Sequence, residues 1–452
     1  MITAVLAGLM ILLLPWFWRW LVPERDWYML VICGQATVYG FVAPALTATG
    51  ESAGVQDGYA VVMWQVALAF GLALHASYFY VRSRTAVNAR SESGAISADQ
   101  FVVDRRRVTL WTAGTIVLAL SYLWVALSRG LLFRRLGHTG LAAAQLDLSP
   151  LELAPYRLFL QLGPWFVAVL VVVWRCLRDE QRRERTMVLT AIAITGGVFA
   201  LHAVINSRLT TLLMAAFLAG LFTNSPLTRW LGGPLRKALV AFIVLGGSYY
   251  LISVIENIRL ELGNDRSIAN VQILIPGGVS QTAQQENRSE RLDGLGLIVK
   301  IRPAVERDGP AMGAAWAIPL VASIDPIFPT ELGTRLKAAA LTTSKSILLL
   351  RYAGEQAEDA SSSILTDAYG NLGVSGFVLV GLVLGALLAL GTRWINHATS
   401  GRTVVVALFM LWLLIPFEQE FGAVLFGWAK LLPVVVVGAW LTPLRARVTA
   451  ST

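Results

Sequence analysis

Length and composition exclude an ordinary water-soluble protein. The 452 residues are 56% hydrophobic and 14% charged, whereas soluble domains are about 45–50% apolar and about 25% charged. The apolar residues come in long blocks, and a helix that spans the hydrocarbon core of a bilayer needs about 20 of them. The sequence therefore predicts an all-α, polytopic integral membrane protein, because in lipid each spanning segment must pair its own backbone hydrogen bonds.

Net charge and cysteine content agree with that class. The formal net charge of +9 fits a membrane protein, because Lys and Arg accumulate in cytoplasmic loops; nucleic-acid binding is the less favoured explanation. Cys33 and Cys176 lie in or beside apolar blocks and indicate neither a disulfide framework nor a zinc site. The four histidines are scattered without metal spacing, so we expect no metal and no cofactor.

Taken in chain order, the apolar blocks predict about eleven transmembrane helices. No basic residue precedes the first block and no small-residue cleavage site follows it, so we expect a span there rather than a signal peptide. The predicted spans lie near residues 2–18, 27–48, 58–81, 108–127, 158–177, 186–205, 209–223, 236–255, 373–392, 403–417 and 421–441.

The distribution of basic residues predicts the orientation. Lys and Arg concentrate in connecting segments that, with eleven spans, all fall on one side of the membrane, which places the amino terminus outside and the carboxyl terminus inside. Three parts follow along the chain. Residues 1–255 hold eight spans and the inner linker 82–107, residues 256–371 form a long outer loop, and residues 372–452 hold three spans and an inner tail.

The long outer loop is the most informative part of the sequence. Loops of this length are uncommon without a function. Apolar patches at 271–275, 314–321 and 347–350 alternate with charged residues, which predicts a partly helical loop whose short helices pack on the membrane core.

Arginines on the predicted outer side are candidate phosphate ligands. Arg208 follows Asn-Ser between two spans, where it either anchors the interface or binds the phosphates of a lipid-linked substrate. Arg288 and Arg291 are three residues apart, a spacing that would place both on one face of a helix. Such a face would be either solvated and salt-bridged or a cationic clamp for a diphosphate. Arg302 follows soon after and joins this candidate clamp.

A glycine-rich segment opens the ninth predicted span. It carries Asp367, Tyr369 and Asn371, which we expect to project from the outer rim and to offer a carboxylate and hydrogen-bonding groups to a sugar. The alternative is a helix N-terminus with an acidic cap.

The order of these motifs resembles the Wzy-type polymerases, which are bacterial O-antigen and oligosaccharide repeat-unit polymerases. The likeness covers mostly residues 200–390: Arg208 after Asn-Ser, Arg288-x-x-Arg291 in the long loop, three prolines within 319–329, then Tyr-Gly-Asn-Leu-Gly at 369–373. The last piece resembles the usual Tyr-x-Asn-Phe-Gly of the family, with Leu372 in place of the commoner Phe.

The resemblance implies an enzyme of the bacterial inner membrane that works on its periplasmic side in the biosynthesis of O-antigen, capsule or exopolysaccharide. A growing glycan on undecaprenyl diphosphate is transferred to the next lipid-linked repeat unit, and the lipid diphosphate leaves. The resemblance implies diphosphate binding by Arg208, Arg288 and Arg291 and sugar binding by Tyr369 and Asn371. A chain-length regulator or a second copy of the chain is the implied protein partner.

Such a transfer needs a general base for the acceptor hydroxyl, and a carboxylate is the usual choice. Glu418 and Glu420 lie in a short outer turn near the membrane, and Asp367 lies at the entry to the ninth span; Glu51 and Asp57 are further candidates on that side. Each of them is otherwise a solvated loop acid. The long loop would exclude water and favour transfer over hydrolysis.

Three other functions compete with polymerisation. A ligase that moves a finished glycan to its acceptor would also use arginines to bind the diphosphate of its lipid-linked substrate. Such ligases generally carry a histidine in the large outer loop, however, and residues 256–371 contain none. A membrane glycosyltransferase of the GT-C type tends to have acidic motifs in its first outer loop, where Glu51 and Asp57 form no tight pair. A lipid or polysaccharide transporter usually places ionisable residues at mid-membrane and shows two similar halves.

Overall fold

The computed structural model describes residues 1–21, 27–86, 101–129, 148–177, 181–206, 293–324, 343–354, 363–396, 398, 400–415 and 421–446, and these residues are mostly helical. In chain order the elements are α1 (Ile2–Leu21), α2 (Trp27–Thr37), π1 (Val38–Val42), α3 (Ala43–Ala48), α4 (Ala53–Gln65), π2 (Val66–Gly71), α5 (Leu72–Ala86), β1 (Phe101–Val103), α6 (Arg105–Ser128), α7 (Pro150–Cys176), α8 (Arg182–Asn206), α9 (Gly296–Asp308), α10 (Ala314–Ile324), α11 (Ser344–Ala353), α12 (Ile364–Leu372), α13 (Val374–Asn396), α14 (Gly401–Leu414), α15 (Phe421–Trp440) and β2 (Leu444–Ala446).

Five helical stretches in the described part of the chain are long and apolar enough to cross a membrane, which marks a membrane protein. They coincide with five of the predicted spans, since hydropathy over about 20 residues is the property that lipid selects. The five stretches are Tyr28–Ala48, Ala53–Arg84, Arg105–Ser128, Leu151–Cys176 and Val374–Ile395.

The other predicted spans have different outcomes. Three of them fall on α1, α14 and α15, whose apolar stretches are Ile2–Leu13, Gly401–Leu414 and Leu431–Trp440 and are shorter than a full span. The span predicted near 186–205 falls on α8, which is helical for 25 residues. The spans predicted near 209–223 and 236–255 lie outside the described residues.

The described residues belong to two compact units that interleave along the chain. The first unit comprises Met1–Ser93, Ser280–Arg393 and Leu413–Val435, and the second comprises Gly94–Val279, Trp394–Trp412 and Val436–Thr452. The division of the sequence at residues 255 and 371 follows linear order along the chain and stays a prediction.

In the first unit, α13 packs closely on the long helix formed by α4, π2 and α5. A Cβ added at Gly381 would lie 2.7 Å from the carbonyl oxygen of Phe70, and one at Gly385 would contact the carbonyl of Leu74. The two glycines are four residues apart, the small-xxx-small spacing that lets helix backbones approach each other in membranes. This close packing fixes the position of α13 on that helix, and with it the position of α12, which directly precedes α13 in the chain.

In the second unit, aromatic side chains bind α6, α7 and α14 together. Trp165 is fully buried, lies edge-on to Trp111 with ring centroids 5.7 Å apart, and donates from Nε1 to the carbonyl of Val405 at 2.9 Å. Since a buried indole N–H needs an acceptor, this bond orients the whole ring. The unit also contains a short antiparallel ribbon in which Phe101 pairs with Ala446 and Val103 with Leu444.

Of the predicted inner linker 82–107, the structure describes the two ends, and both belong to regular elements; residues 87–100 lie outside the described part of the chain. Helix α5 continues to Ala86, and β1 and the first turn of α6 occupy 101–107. Asp104 fixes the start of α6, because its side chain accepts from the backbone N–H groups of Arg106 and Arg107 and so caps this helix. It also pairs with Arg445 at 2.7 Å, beside the ribbon.

Candidate functional site

The structure describes four of the nine residues predicted at the site. Arg302 lies on α9, and Asp367, Tyr369 and Asn371 lie on α12, all within the first unit. The roles of the other five stay predictions, because these residues lie outside the described part of the chain: Arg208, Arg288, Arg291, Glu418 and Glu420.

Helix α12 is a separate short helix rather than the opening of the ninth span. It begins at a cap in which Ser363 Oγ accepts from the Thr366 N–H, and it ends at Gly373, whose φ of +61° favours glycine. The expectation that Asp367, Tyr369 and Asn371 project from the outer rim is therefore wrong. They are 1%, 2% and 0% exposed, because α12 is enclosed by α9, α10, α11 and the spans.

Asn371 joins the end of α12 to the start of α10. Its Nδ2 donates to the carbonyl and to Oδ1 of Asp367, at 2.9 and 3.1 Å, and its Oδ1 accepts from the Ala315 N–H at 3.1 Å. The carbonyl of Asn371 accepts from the Met312 N–H at 2.7 Å. One buried amide thus satisfies a free N–H in the first turn of α10 and fixes the turn before it.

Asp367 joins the same helix to α11. Its Oδ1 accepts from Ser344 Oγ and from Asn371 Nδ2, and Ser344 is fully buried at the first position of α11. Leu348, one turn further along α11, lies over Gly370, where a Cβ would collide with its side chain. A buried carboxylate is tolerated when hydrogen bonds replace its hydration, and these two donors do so here.

The contacts that join α12 to α10 and α11 form a buried junction, and Arg302 and Tyr369 lie at its edge. The Arg302 Nε donates to Glu306 Oε1 at 2.6 Å, and the guanidinium and the Glu306 carboxylate both act electrostatically on the Tyr369 hydroxyl. Burial raises the pKa of the Tyr369 hydroxyl above its usual value, and Glu306 raises it further, whereas Arg302 lowers it. The Arg302 side chain is 24% exposed and that of Glu306 is 53% exposed, so this edge of the junction reaches the surface.

The Arg302 guanidinium has the chemistry of an anion site. It carries five N–H donors in a rigid fork, which matches the oxygens of carboxylates and phosphates. Glu306 accepts from the Arg302 Nε. Sequence analysis did not single out Glu306, although the four-residue spacing from Arg302 on a helix is the signal that predicts this ion pair.

A second buried acid, Asp293, anchors the start of α9. Its Oδ1 accepts from the backbone N–H groups of Leu295 and Gly296, both at 2.9 Å, and its Oδ2 accepts from the Tyr59 hydroxyl at 2.5 Å. A Cβ at Gly296 would lie 2.8 Å from Asp293 Oδ2, so this turn needs glycine. The sequence analysis assigned no role to Asp293. An Asp followed by Gly is the turn signal that could have identified its role, because an Asp side chain accepts from backbone N–H groups two residues further on.

The junction also reaches the interrupted span Tyr28–Ala48. The Gly294 N–H donates to the carbonyl of Tyr39 at 3.1 Å, within π1, and the Gly294 carbonyl accepts from Thr366 at 3.1 Å and from Ser363 at 3.3 Å. A π-helical segment alters the regular i→i−4 pairing, which makes carbonyls available to other elements, and such segments are frequent at functional sites. The start of α9 and the cap of α12 are therefore fixed to a span at one point.

The His, Cys, Asp and Glu side chains in the described part of the chain bear on metal and thiol chemistry. Among the residues that the structure describes, no group of three His, Cys, Asp or Glu side chains is placed to hold a metal ion. Cys33 and Cys176 are buried as free thiols.

Comparisons with protein-family profiles, with curated proteins and with solved structures give no match to this chain.

Proposed function

We propose that this protein is an integral membrane glycosyltransferase that polymerises oligosaccharide repeat units linked to undecaprenyl diphosphate. The supporting observation is that Arg302 and Tyr369, which sequence analysis placed in the diphosphate and sugar sites, interact with each other electrostatically although they lie on different helices. They do so at the edge of a rigid junction whose buried amide and carboxylate come from the same motif. A fixed guanidinium beside an apolar helical core suits a ligand with a charged head and a lipid tail.

The reaction requires one bond to form and one to break. The acceptor hydroxyl of the next lipid-linked unit attacks the anomeric carbon of the growing glycan, and the new glycosidic C–O bond replaces the bond from that carbon to the diphosphate oxygen. The acceptor proton passes to a carboxylate, for which Glu418 and Glu420 remain the proposed bases. Undecaprenyl diphosphate leaves with the bonding electron pair, and arginine stabilises its negative charge.

The burial of Asp367 and Asn371 changes the roles that we propose for them. Both side chains are enclosed and their hydrogen-bonding groups are occupied within the protein, so we propose that they position α10 and α11 around the site. Tyr369 is buried as well, and we propose that its hydroxyl helps to position the guanidinium of Arg302. In this proposal, Arg302 contacts the diphosphate together with Arg208, Arg288 and Arg291.

The proposal includes a full topology. Eleven spans, with the amino terminus in the periplasm and the carboxyl terminus in the cytoplasm of a bacterial inner membrane, place the segment 256–371 on the periplasmic side. The basic residues of the predicted inner segments support this arrangement. The lipid-linked substrate is available in that membrane and on that side.

The test separates lipid-linked from surface glycans by size in a strain that lacks the gene. The strain is complemented with the wild type, Arg302→Ala, Arg302→Lys or Arg307→Ala. Arg307 is the matched control, because it lies on the same helix, its side chain is 75% exposed, and it pairs with its neighbour Asp308. We expect single repeat units to accumulate without the gene and with Arg302→Ala, partial chains with Arg302→Lys, and normal chains with Arg307→Ala.

Two outcomes would replace the proposal. Long chains that persist on the lipid carrier but never reach their final acceptor would identify a ligase. Unchanged glycans in the deletion strain would refute glycan transfer altogether. Protein levels in the membrane, measured by immunoblot, ensure that a loss of chains with Arg302→Ala reflects the lost guanidinium rather than lost protein.

A further inference from the structure

The turn before α10 exposes an apolar side chain on a strained backbone. Met312 is 77% exposed, and its φ of +51° is the only positive value of a non-glycine residue in the described part of the chain. A side chain with Cβ rarely adopts this conformation, and water gives it no compensation for the exposed thioether. A strained residue held in place by its surroundings marks a functional constraint.

Helix α10 continues the apolar character of this turn. Residues 311–324 contain no charged side chain until Asp325 follows, and a stretch of 10 to 14 apolar residues is typical of a buried core helix or of an interfacial or re-entrant segment. One face of α10 is buried, since Ala315 packs with Ile347 and Leu348. The opposite side is open, with Ala317 exposed and Trp316 half-buried.

The turn lies beside the start of a membrane-spanning helix. The Met312 N–H donates to the carbonyl of Asn371, and the candidate span Val374–Ile395 begins three residues later. In the first two turns of that span, Val374, Val378 and Leu379 are 38% to 41% exposed, as expected for side chains that face lipid. The turn that carries the exposed Met312 is therefore joined by a backbone hydrogen bond to the segment from which the span starts.

Residues typical of the membrane interface flank the turn. The Tyr352 hydroxyl donates to the carbonyl of Gly309 at 2.9 Å, and the Arg351 guanidinium lies 5.3 Å from the Tyr352 ring centroid. Tyr is enriched where the bilayer meets water, and an arginine at that level reaches lipid phosphates.

We propose that the turn 311–313 and the exposed side of α10 form a membrane-interface anchor, in which the Met312 side chain inserts among the acyl chains of the bilayer. The occupant of this surface is the lipid bilayer, and the headgroup phosphates lie at the level of Arg351. This explains why an apolar side chain is presented on a strained turn. The inference does not depend on the proposed glycan chemistry.

The test measures how lipid and water reach position 312. Met312→Cys is labelled with an environment-sensitive fluorophore in the full chain, which is reconstituted in phosphatidylcholine–phosphatidylglycerol vesicles; the native cysteines Cys33 and Cys176 are buried. Quenching by doxyl lipid is compared with quenching by aqueous iodide. The matched control is Glu51→Cys, which is exposed in the polar turn between two spans, and Ala317→Cys provides a second site on α10.

We expect doxyl lipid to quench the labels at 312 and 317 at least about twofold more than the label at 51, because interfacial segments bury their apolar side about 5–10 Å below the headgroups. Iodide should show the opposite order. The inference fails if iodide reaches position 312 as readily as position 51, or if neither quencher reaches it, which would mean that protein covers the turn. Gel-filtration elution identical to that of the unlabelled protein establishes that each variant is folded, and position 317 decides the matter if the label at 312 disturbs folding.

Discussion

Replacement of Asn371 by alanine should release the turn before α10. The side chain is fully buried and makes three hydrogen bonds, two to Asp367 and one to the Ala315 N–H. Each such bond contributes about 1 kcal/mol net, and buried partners left without one cost a further amount. Alanine at this position should therefore destabilise the local structure by about 3 kcal/mol or more.

Hydrogen exchange reports this local opening directly. At about 1.4 kcal/mol for each factor of ten, 3 kcal/mol raises the population of the open turn by about 150-fold. We expect the amides of Met312 and Ala315 to exchange faster by that factor in Asn371→Ala, as followed by mass spectrometry of peptides covering 309–318. Amides in the span Arg105–Ser128, which belongs to the second unit, should not change.

Ser375→Ala is the matched control for this substitution. Ser375 is close in sequence and donates to the carbonyl of Leu372 at 2.6 Å, but it is exposed, so water replaces the lost bond and the effect should stay within about 0.5 kcal/mol. If exchange of the turn in Asn371→Ala rises by less than about tenfold, the amide does not hold the turn, and its assignment as a positioning residue is wrong.

Three further predictions concern the same unit, and thermal unfolding in detergent measures each of them. Gly376→Ala places a Cβ against the backbone of α12 and should lower the free energy of unfolding by about 1–3 kcal/mol. Gly114→Ala is the control: a Cβ there would have no atom within 4 Å, so this substitution should be neutral or slightly stabilising. Equal effects of the two substitutions would contradict the close packing at Gly376. Tyr59→Phe leaves Asp293 without the hydroxyl that lies 2.5 Å away and should cost about 1–3 kcal/mol, and no loss would mean that the carboxylate does not need this donor. Because the pKa of the Tyr369 hydroxyl is raised in the folded state, its contribution to the free energy of unfolding is complete below about pH 10 and is lost as the pH rises towards the folded-state pKa. The variant Tyr369→Phe should therefore lose less stability between about pH 9 and about pH 11 than the wild type does. An identical loss in both proteins would refute the contribution of this hydroxyl.

The long apolar helices could be predicted because one property of the sequence decides them. Hydropathy alone predicts the spans that match Tyr28–Ala48 and Val374–Ile395, and the apolar patches near 314 and 347 predict α10 and α11 within the segment 256–371. In each case the signal lies within about 20 consecutive residues, so no knowledge of distant contacts is needed.

The burial of the junction could not be predicted because its partners are far apart in sequence. Asp367 meets Ser344 at a separation of 23 residues, Asn371 meets Ala315 at 56, and Tyr59 meets Asp293 at 234. A short segment with polar side chains and glycines is typical of an exposed rim, and only the tertiary contacts turn the same residues inward. Gly373, which ends α12, was interpreted as an entry into the span, although a glycine after a polar turn is equally the mark of a helix end.

The ribbon of β1 and β2 has a consequence for the order in which the chain is assembled during synthesis. Beside the ribbon, Arg107 donates to the carbonyl of Thr442, which lies 335 positions later in the chain. At about 5–20 residues per second, the ribosome needs roughly 20 to 70 s to reach that partner. Strand β1 therefore has no partner strand while the intervening helices enter the membrane, and its pairing with β2 is one of the last steps of folding. In a chain that ends before Leu444, the backbone groups at the edge of β1 stay unpaired.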